Sequence, residues 1–160
     1  MPSAYIETSV PSYYVARPSE NLIQASKQAS TRKWWDGGCS GLSLATSLET
    51  LDEAKRGDAM MAEARMSLLR ELPVLKITSE AVDLAEMLVE AKIIPESVAS
   101  DAIHIAVAAV HRIDYLVTWN FKHIANPFVR ERIRKLLESN GYTMPVMCSP
   151  EELLQSHEKN

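Results

Sequence analysis

Residues 100–123 read SDAIHIAVAAVHRIDYLVTWNFKH, in which Asp101 opens a helix of small apolar residues that runs into a short strand, Tyr115-Leu116-Val117, ending in Thr118-Trp119-Asn120. From Ala102 to Val110 every residue except His104 is Ala, Ile or Val, so most faces of this helix are expected to be buried. An ionised aspartate is almost never fully buried unless it is paired or bound to a metal. Helix chemistry supplies one account of Asp101: an acid in the first turn gains about 0.3–1 kcal/mol from the macrodipole, and Ser97 or Ser100 can cap that turn. A functional site supplies the other.

Outward from this unit the chain repeats the alternation of short strand and longer helix. Ala4-Tyr5-Ile6 reads as a buried first strand, stopped by Glu7-Thr8-Ser9 and Pro11. A helix is expected from Ser19 to Trp35, with Leu22, Ile23, Ala25, Ala29 and Trp34 as its apolar positions and Gly37-Gly38 as its end. Leu42–Ala45 is a second strand, followed by one helix from Thr46 or Ser47 to Gly57 and another from Asp58 to Leu72, where Pro73 breaks it. Val74–Ile77 is a third strand, and Thr78 or Ser79 caps a helix carrying Ala81, Leu84, Ala85 and Leu88 on one stripe. Beyond the Tyr115 strand, Asn126-Pro127 opens a long helix that Gly141 closes, Met144–Cys148 offers a last strand, and Ser149-Pro150-Glu151-Glu152 starts a last short helix. The pattern predicts an α/β fold: a three-layer sandwich around a central, mainly parallel sheet of four to five strands, as a single domain over residues 1–160.

Composition narrows the function classes. With 17 basic and 21 acidic side chains the formal charge is −4, which argues against broad electrostatic attraction to nucleic acid and leaves room only for a local basic patch. No run of 18 apolar residues and no signal-like N-terminus is present, so a cytoplasmic protein with no membrane partner is expected. Cys39 and Cys148 are too few for a disulfide framework and lack the spacing of a structural zinc site. The absence of GxGxxG and GxxxxGK excludes the usual nucleotide-binding loops.

In parallel α/β sheets, ligands bind beyond the carboxyl ends of the strands. That rule selects Glu7 and Asn120, and two further acids, Glu53 and Asp101, are candidates to converge with them. Carboxylates gathered at one sheet edge repel unless a cation is present, and hard oxygen donors suit Mg²⁺ or Mn²⁺. Such an ion orients and deprotonates water for attack on a phosphodiester. The substrate class is then nucleic acid. Glu49, Asp52 and Glu53 share one helix, so Asp52 or Glu49 stands as an alternative to Glu53.

Four segments in order, YIETS at 5–9, LDEAKRGD at 51–58, SDAIHIAVAA at 100–109 and YLVTWNFKHI at 115–124, resemble the PIN domain family, and within it the VapC-type toxin ribonucleases of toxin–antitoxin pairs. The resemblance spans nearly the whole chain. It implies an endoribonuclease dependent on Mg²⁺ or Mn²⁺, with Glu7, Glu53 and Asp101 as metal-binding acids, Asn120 at the fourth acidic position, and Thr8 or Thr118 supporting the cluster by hydrogen bonding. It further implies an RNA substrate, a homodimer, and a small antitoxin protein covering the acidic cleft. Two positions depart from the family pattern: Glu7 stands where Asp is usual, and neutral Asn120 where Asp is frequent. The alternative expectation is therefore a degenerate PIN domain that binds RNA or a protein partner without cleavage.

The remaining polar and aromatic residues receive structural roles. His104, His111 and His123 are read as packed or exposed histidines rather than zinc ligands, since no HExxH spacing accompanies them. Trp34, Trp35 and Trp119 are assigned to packing, the stretch Arg130–Lys135 to a solvated helix face, and Met60, Met61, Ala64 and Leu68 to a core or partner-facing stripe.

Overall fold

The computed structural model describes the backbone of residues 1–158 and the side chains of residues 1–154. Five strands, β1 (Ser3–Ile6), β2 (Ser43–Ser47), β3 (Val74–Leu75), β4 (Tyr115–Val117) and β5 (Val146–Cys148), make one all-parallel sheet in the order β3-β2-β1-β4-β5. The strands are short and apolar on both sides because helices cover both faces. Successive side chains divide between two cores, as the two-residue period of a strand requires. Tyr5, Leu116 and Met147 point into one core, with α5 (Ser79–Glu90), α6 (Ala99–Val110) and α7 (Pro127–Ser139). Ala4, Ile6 and Val117 point into the other, with Val10 of α1 (Ser9–Val15), Ala54 of α3 (Leu48–Ala54), Leu69 of α4 (Ala59–Leu69) and Leu154 of α8 (Pro150–Glu158). The three-layer α/β sandwich expected from the sequence is thus present. No described helix is long and apolar enough to cross a membrane.

From β1 the chain proceeds to β2 and β3 on one side, then returns to lay β4 and β5 on the other. The order reverses between β1 and β4, and at such a switch point the diverging connections leave a crevice beyond the strand ends. Ile6 pairs in register with Val117, so Glu7 and Thr118 emerge side by side into it. At the other end of these strands, Asp114 Oδ2 accepts from Ser3 N (2.9 Å) and Ser3 Oγ (3.2 Å), which fixes the register.

Several elements differ from the sequence expectation. β1 ends before Glu7 as expected, but a helix the sequence reading does not include, α1, follows at once, with Pro11 in its first turn, where a missing N–H leaves no hydrogen bond broken. In α2 (Leu22–Lys33), which continues as a π-helical turn over Trp34–Gly38, Leu22 and Ile23 are 86% and 68% exposed and Ala29 is also exposed. The buried positions are instead polar: Gln28 donates to Arg17 O and accepts from Ser19 N, and Thr31 donates to Lys27 O. Trp119 Nε1 also donates to Thr31 Oγ1 (2.8 Å), so these buried polar groups are hydrogen-bonded and leave no mark in the apolar periodicity. β2 begins one residue later than expected and extends through Ser47, while β3 and β5 are shorter than Val74–Ile77 and Met144–Cys148. Of the stripe read as core or partner-facing, Met60 is exposed and Met61, Ala64 and Leu68 are half-buried, so it is not core.

The three helices of the first core end alike. Lys92 N and Ile93 N bond back to Val89 O and Leu88 O after α5, Arg112 N and Ile113 N to Ala109 O and Ala108 O after α6, and Gly141 N and Tyr142 N to Glu138 O and Leu137 O after α7. Each is a Schellman cap whose residue past the helix has positive φ: 58° at Lys92, 56° at Arg112 and 85° at Gly141. Only the third uses glycine, and left-handed backbone costs other L-residues roughly 1–2 kcal/mol. Allowing for glycine's greater unfolded-state freedom, Lys92→Gly and Arg112→Gly are each expected to stabilise the fold by about 0.5–1 kcal/mol, read as a higher urea midpoint. A lower midpoint would contradict the cap assignment.

Candidate active site

Glu7 leaves β1 as a buried carboxylate, 6% exposed. Its Oε1 accepts from Ser9 N (2.9 Å), Thr118 Oγ1 (2.9 Å) and Ser9 Oγ. Ser9 Oγ in turn accepts from Trp119 N (2.8 Å), and Thr118 Oγ1 from Asn120 N (2.9 Å). The ends of β1 and β4 and the start of α1 are therefore bound through one carboxylate.

Asp101 lies in the first turn of α6 and is 8% exposed. Burial raises its pKa above the usual aspartate range and the nearby Glu7 charge raises it further, while hydrogen bonding from Asn120 and the proximity of His104 and His123 oppose the rise. Asn120 Oδ1 accepts from His123 N (3.0 Å), which closes a turn after β4 and leaves the amide nitrogen as the group able to donate to Asp101. Glu7, Asp101 and Asn120 are thus brought to one crevice.

Glu53 belongs to a second, connected set. Its Oε1 accepts from Thr8 Oγ1 (2.7 Å) and from His104 Nε2 (2.5 Å). His104 is wholly buried, and its Nδ1 lies 2.6 Å from the Tyr5 hydroxyl, which lies 2.6 Å from Ser47 Oγ. Although burial works against the charged form of Glu53, His104 and Thr8 outweigh it and hold its carboxyl below the usual range. Burial likewise opposes the charged His104, yet Tyr5, then Glu53 and Glu7, raise it well above an ordinary histidine. The sequence gives His104 only a packing role; the structure makes it a member of the candidate site. The available signal was its position: the sole polar residue among nine, one helical turn after Asp101.

Of the two alternatives to Glu53, Asp52 is exposed, and Glu49 accepts from Ser100 Oγ (2.6 Å) at the start of α6. Among the described residues no three His, Cys, Asp or Glu side chains are assembled as a ready-made metal cluster. Glu7 and Asp101 are the hard-oxygen pair whose adjacent like charges a divalent cation would relieve. Glu53 is turned to His104 and Thr8.

Other candidates lie apart from the crevice. His111 Nε2 is 2.8 Å from Lys76 O, so it shares no site with His104. In the basic stretch of α7, Arg134 pairs with Glu131 and Glu138, and Arg132 reaches Ala91 O. Burial, with the Glu152 charge, pushes the Cys148 thiol up to about 12, which removes it as a nucleophile. A cavity of about 860 Å³ opens at the opposite edge of the sheet, lined by Arg112, Asp114, Asn140 and Tyr142, and holds none of the candidate residues.

An all-parallel 3-2-1-4-5 sheet between helical layers, with acids at the β1/β4 switch point, defines a PIN-like α/β fold. Among solved structures, a chain from the crystal structure of VapBC2 from Rickettsia felis bound to a DNA fragment from their promoter matches with a TM-score of 0.53 at 14% identity, over 92% of this chain and 98% of that one. No family model matches the chain, and no curated protein matches it significantly.

The Glu53–His104 pair has a defined pH signature. Glu53's lowered pKa contributes stability present above its ordinary value near 4.5, whereas His104's raised pKa contributes stability present below 6.5 and lost as pH rises through its folded value. Glu53→Gln is therefore expected to cost about 1.5–3 kcal/mol near pH 6, shrinking at alkaline pH, in urea titrations across pH. Asp101→Asn is expected to stabilise the fold at neutral pH, because it removes a buried charge facing Glu7. A Glu53→Gln loss that is the same at every pH would refute the ion pair.

Proposed function

We propose that this chain is a metal-dependent endoribonuclease, the toxin of a toxin–antitoxin pair, acting in the cytoplasm. The observation carrying the reading is the meeting of Glu7, Asp101 and Asn120 at the switch point, where Asp101 is raised by burial and by Glu7. Glu7 and Asp101, joined by Glu53, would hold Mg²⁺ or Mn²⁺, whose chemistry here is to polarise a water and neutralise charge on the scissile phosphate. Ser9 and Thr118 fix the Glu7 carboxylate in place, and Asn120 orients Asp101. His104 holds Glu53 ionised, and His123 offers a donor to a phosphate oxygen. The likeness to VapBC2, a toxin–antitoxin pair, supports a small antitoxin as partner, with a homodimer as the expected assembly.

Cleavage of unstructured and structured RNA with Mn²⁺, with EDTA, and with Asp101→Asn tests this reading. EDTA and Asp101→Asn are each expected to reduce cleavage about 100-fold or more. Activity surviving both would overturn the mechanism. Because a ligand bound only by the folded state stabilises it by about 2.7 kcal/mol at 100 times its Kd, Mn²⁺ should raise the melting temperature of the wild type and not of Asp101→Asn.

A second reading is a PIN-like domain that binds RNA or a protein without cutting. It is favoured by the neutral Asn120 and by the engagement of Glu53 with His104. Calorimetry showing tight RNA binding, no Mn²⁺ uptake and no cleavage would select it.

A further inference from the structure

The residues after Asn120 bring a different chemistry to the rim of the acidic crevice. Trp119 is buried, donates its indole N–H to Thr31 Oγ1 (2.8 Å) and packs at 5.7 Å against Tyr13. Phe121 stands edge-on to Trp119 with centroids 5.9 Å apart and remains 39% exposed. Lys27, one turn before Thr31 on α2, places its ammonium 5.6 Å from the Trp119 ring centre and 5.8 Å from that of Phe121. No carboxylate pairs with Lys27 among the described residues. Phe121 thus packs on Trp119 by its edge and still leaves ring surface open to solvent, with a cation held beside it that has no carboxylate partner among the described residues. Lys122 is exposed, and Phe121 directly follows Asn120, whose N–H bonds to the Thr118 hydroxyl that donates to Glu7, so this patch borders the crevice.

We infer that Phe121 and Lys27 form a nucleotide subsite at the edge of the acidic crevice, Phe121 stacking on one unpaired base and Lys27 holding the neighbouring phosphate of a single-stranded RNA. Stacking on an exposed ring requires a base that is not already paired and stacked, which a duplex does not offer. Every base has a π-face, so the subsite selects strandedness rather than sequence. In an acidic chain of net charge −4, a single cation fixed beside a ring supplies local attraction without a broad basic surface. The identity of the polymer rests on the nuclease reading of the crevice; the stacking geometry does not.

Binding is measured by fluorescence anisotropy of a labelled single-stranded oligoribonucleotide, with each variant in an Asp101→Asn background so that cleavage does not interfere. Phe121→Ala is expected to weaken binding about tenfold, and Phe121→Tyr to restore most of it. Lys27→Gln should reduce the slope of log affinity against log salt by about 0.7, the contribution of one phosphate contact on a single strand. An RNA duplex should bind more weakly and with no response to Phe121→Ala. If Phe121→Ala loses its thermal transition, Phe121→Leu keeps the apolar bulk without the ring, and unchanged binding by it overturns the subsite. So does a wild-type ring that binds single strand and duplex equally. Phe121-dependent binding by a protein that does not cut RNA with Mn²⁺ would refute the nuclease and leave the subsite standing. Mn²⁺-dependent cutting with Phe121-independent binding would do the reverse.

Discussion

Burying the Glu7 carboxylate at the seam between β1 and β4 is the constraint on which the rest of the crevice depends. An ionised carboxylate withdrawn from water costs several kcal/mol unless donors replace its hydration. Here Ser9 supplies two and Thr118 a third, all to the same oxygen. The Ser9 hydroxyl, by accepting from Trp119 N, carries the tie onward to the strand that ends at Asn120. The same bonds that satisfy Glu7 therefore set the direction of α1 and the path of the chain after β4. The geometry of the candidate site and the closing of the sheet's switch point are one set of hydrogen bonds.

The second polar chain, from Ser47 through Tyr5 and His104 to Glu53 and Thr8, passes from beneath the sheet to the crevice. Tyr5 alternates with Ala4 and Ile6 in β1, so its hydroxyl is carried into the core shared with α6, where His104 meets it. A buried polar chain of this kind is stable only when every member is paired. Its last member, Glu53, is 22% exposed at the side chain, so one end reaches solvent while the histidine does not. The pairing orients the Glu53 carboxylate and keeps it charged.

Much of the fold was legible because both faces of each strand are buried, which makes the strands short uninterrupted apolar runs separated by helix caps. Asn126-Pro127 and Gly141 bound α7 as their backbone chemistry requires. The sequence also points to the carboxyl ends of the strands carrying Glu7 and Asn120, but not to the strand order that makes those two ends neighbours. What could not be read was set by tertiary hydrogen bonding. Pro11 looks like a terminator until α1 is seen to begin at Ser9, and Gln28 and Thr31 look solvent-facing until Arg17, Ser19 and Trp119 are placed against them. His104 is the same case within the site: its partners Tyr5 and Glu53 are 99 and 51 residues away, and no local period marks them.

Asn120, where an acid would have completed a set of four, changes the electrostatics in a way that its neutrality alone does not convey. Asp101 is already raised by burial and by Glu7. A third carboxylate in the crevice would raise it further, since each added like charge disfavours ionisation of the others. An amide with its oxygen committed to His123 N presents N–H groups instead, and hydrogen bonding to Asp101 favours the charged form. Asn120 thus adds no anionic ligand to the crevice while making Asp101 easier to ionise. In this chain the missing negative charge is balanced by a donor that performs, for Asp101, part of the work a cation performs.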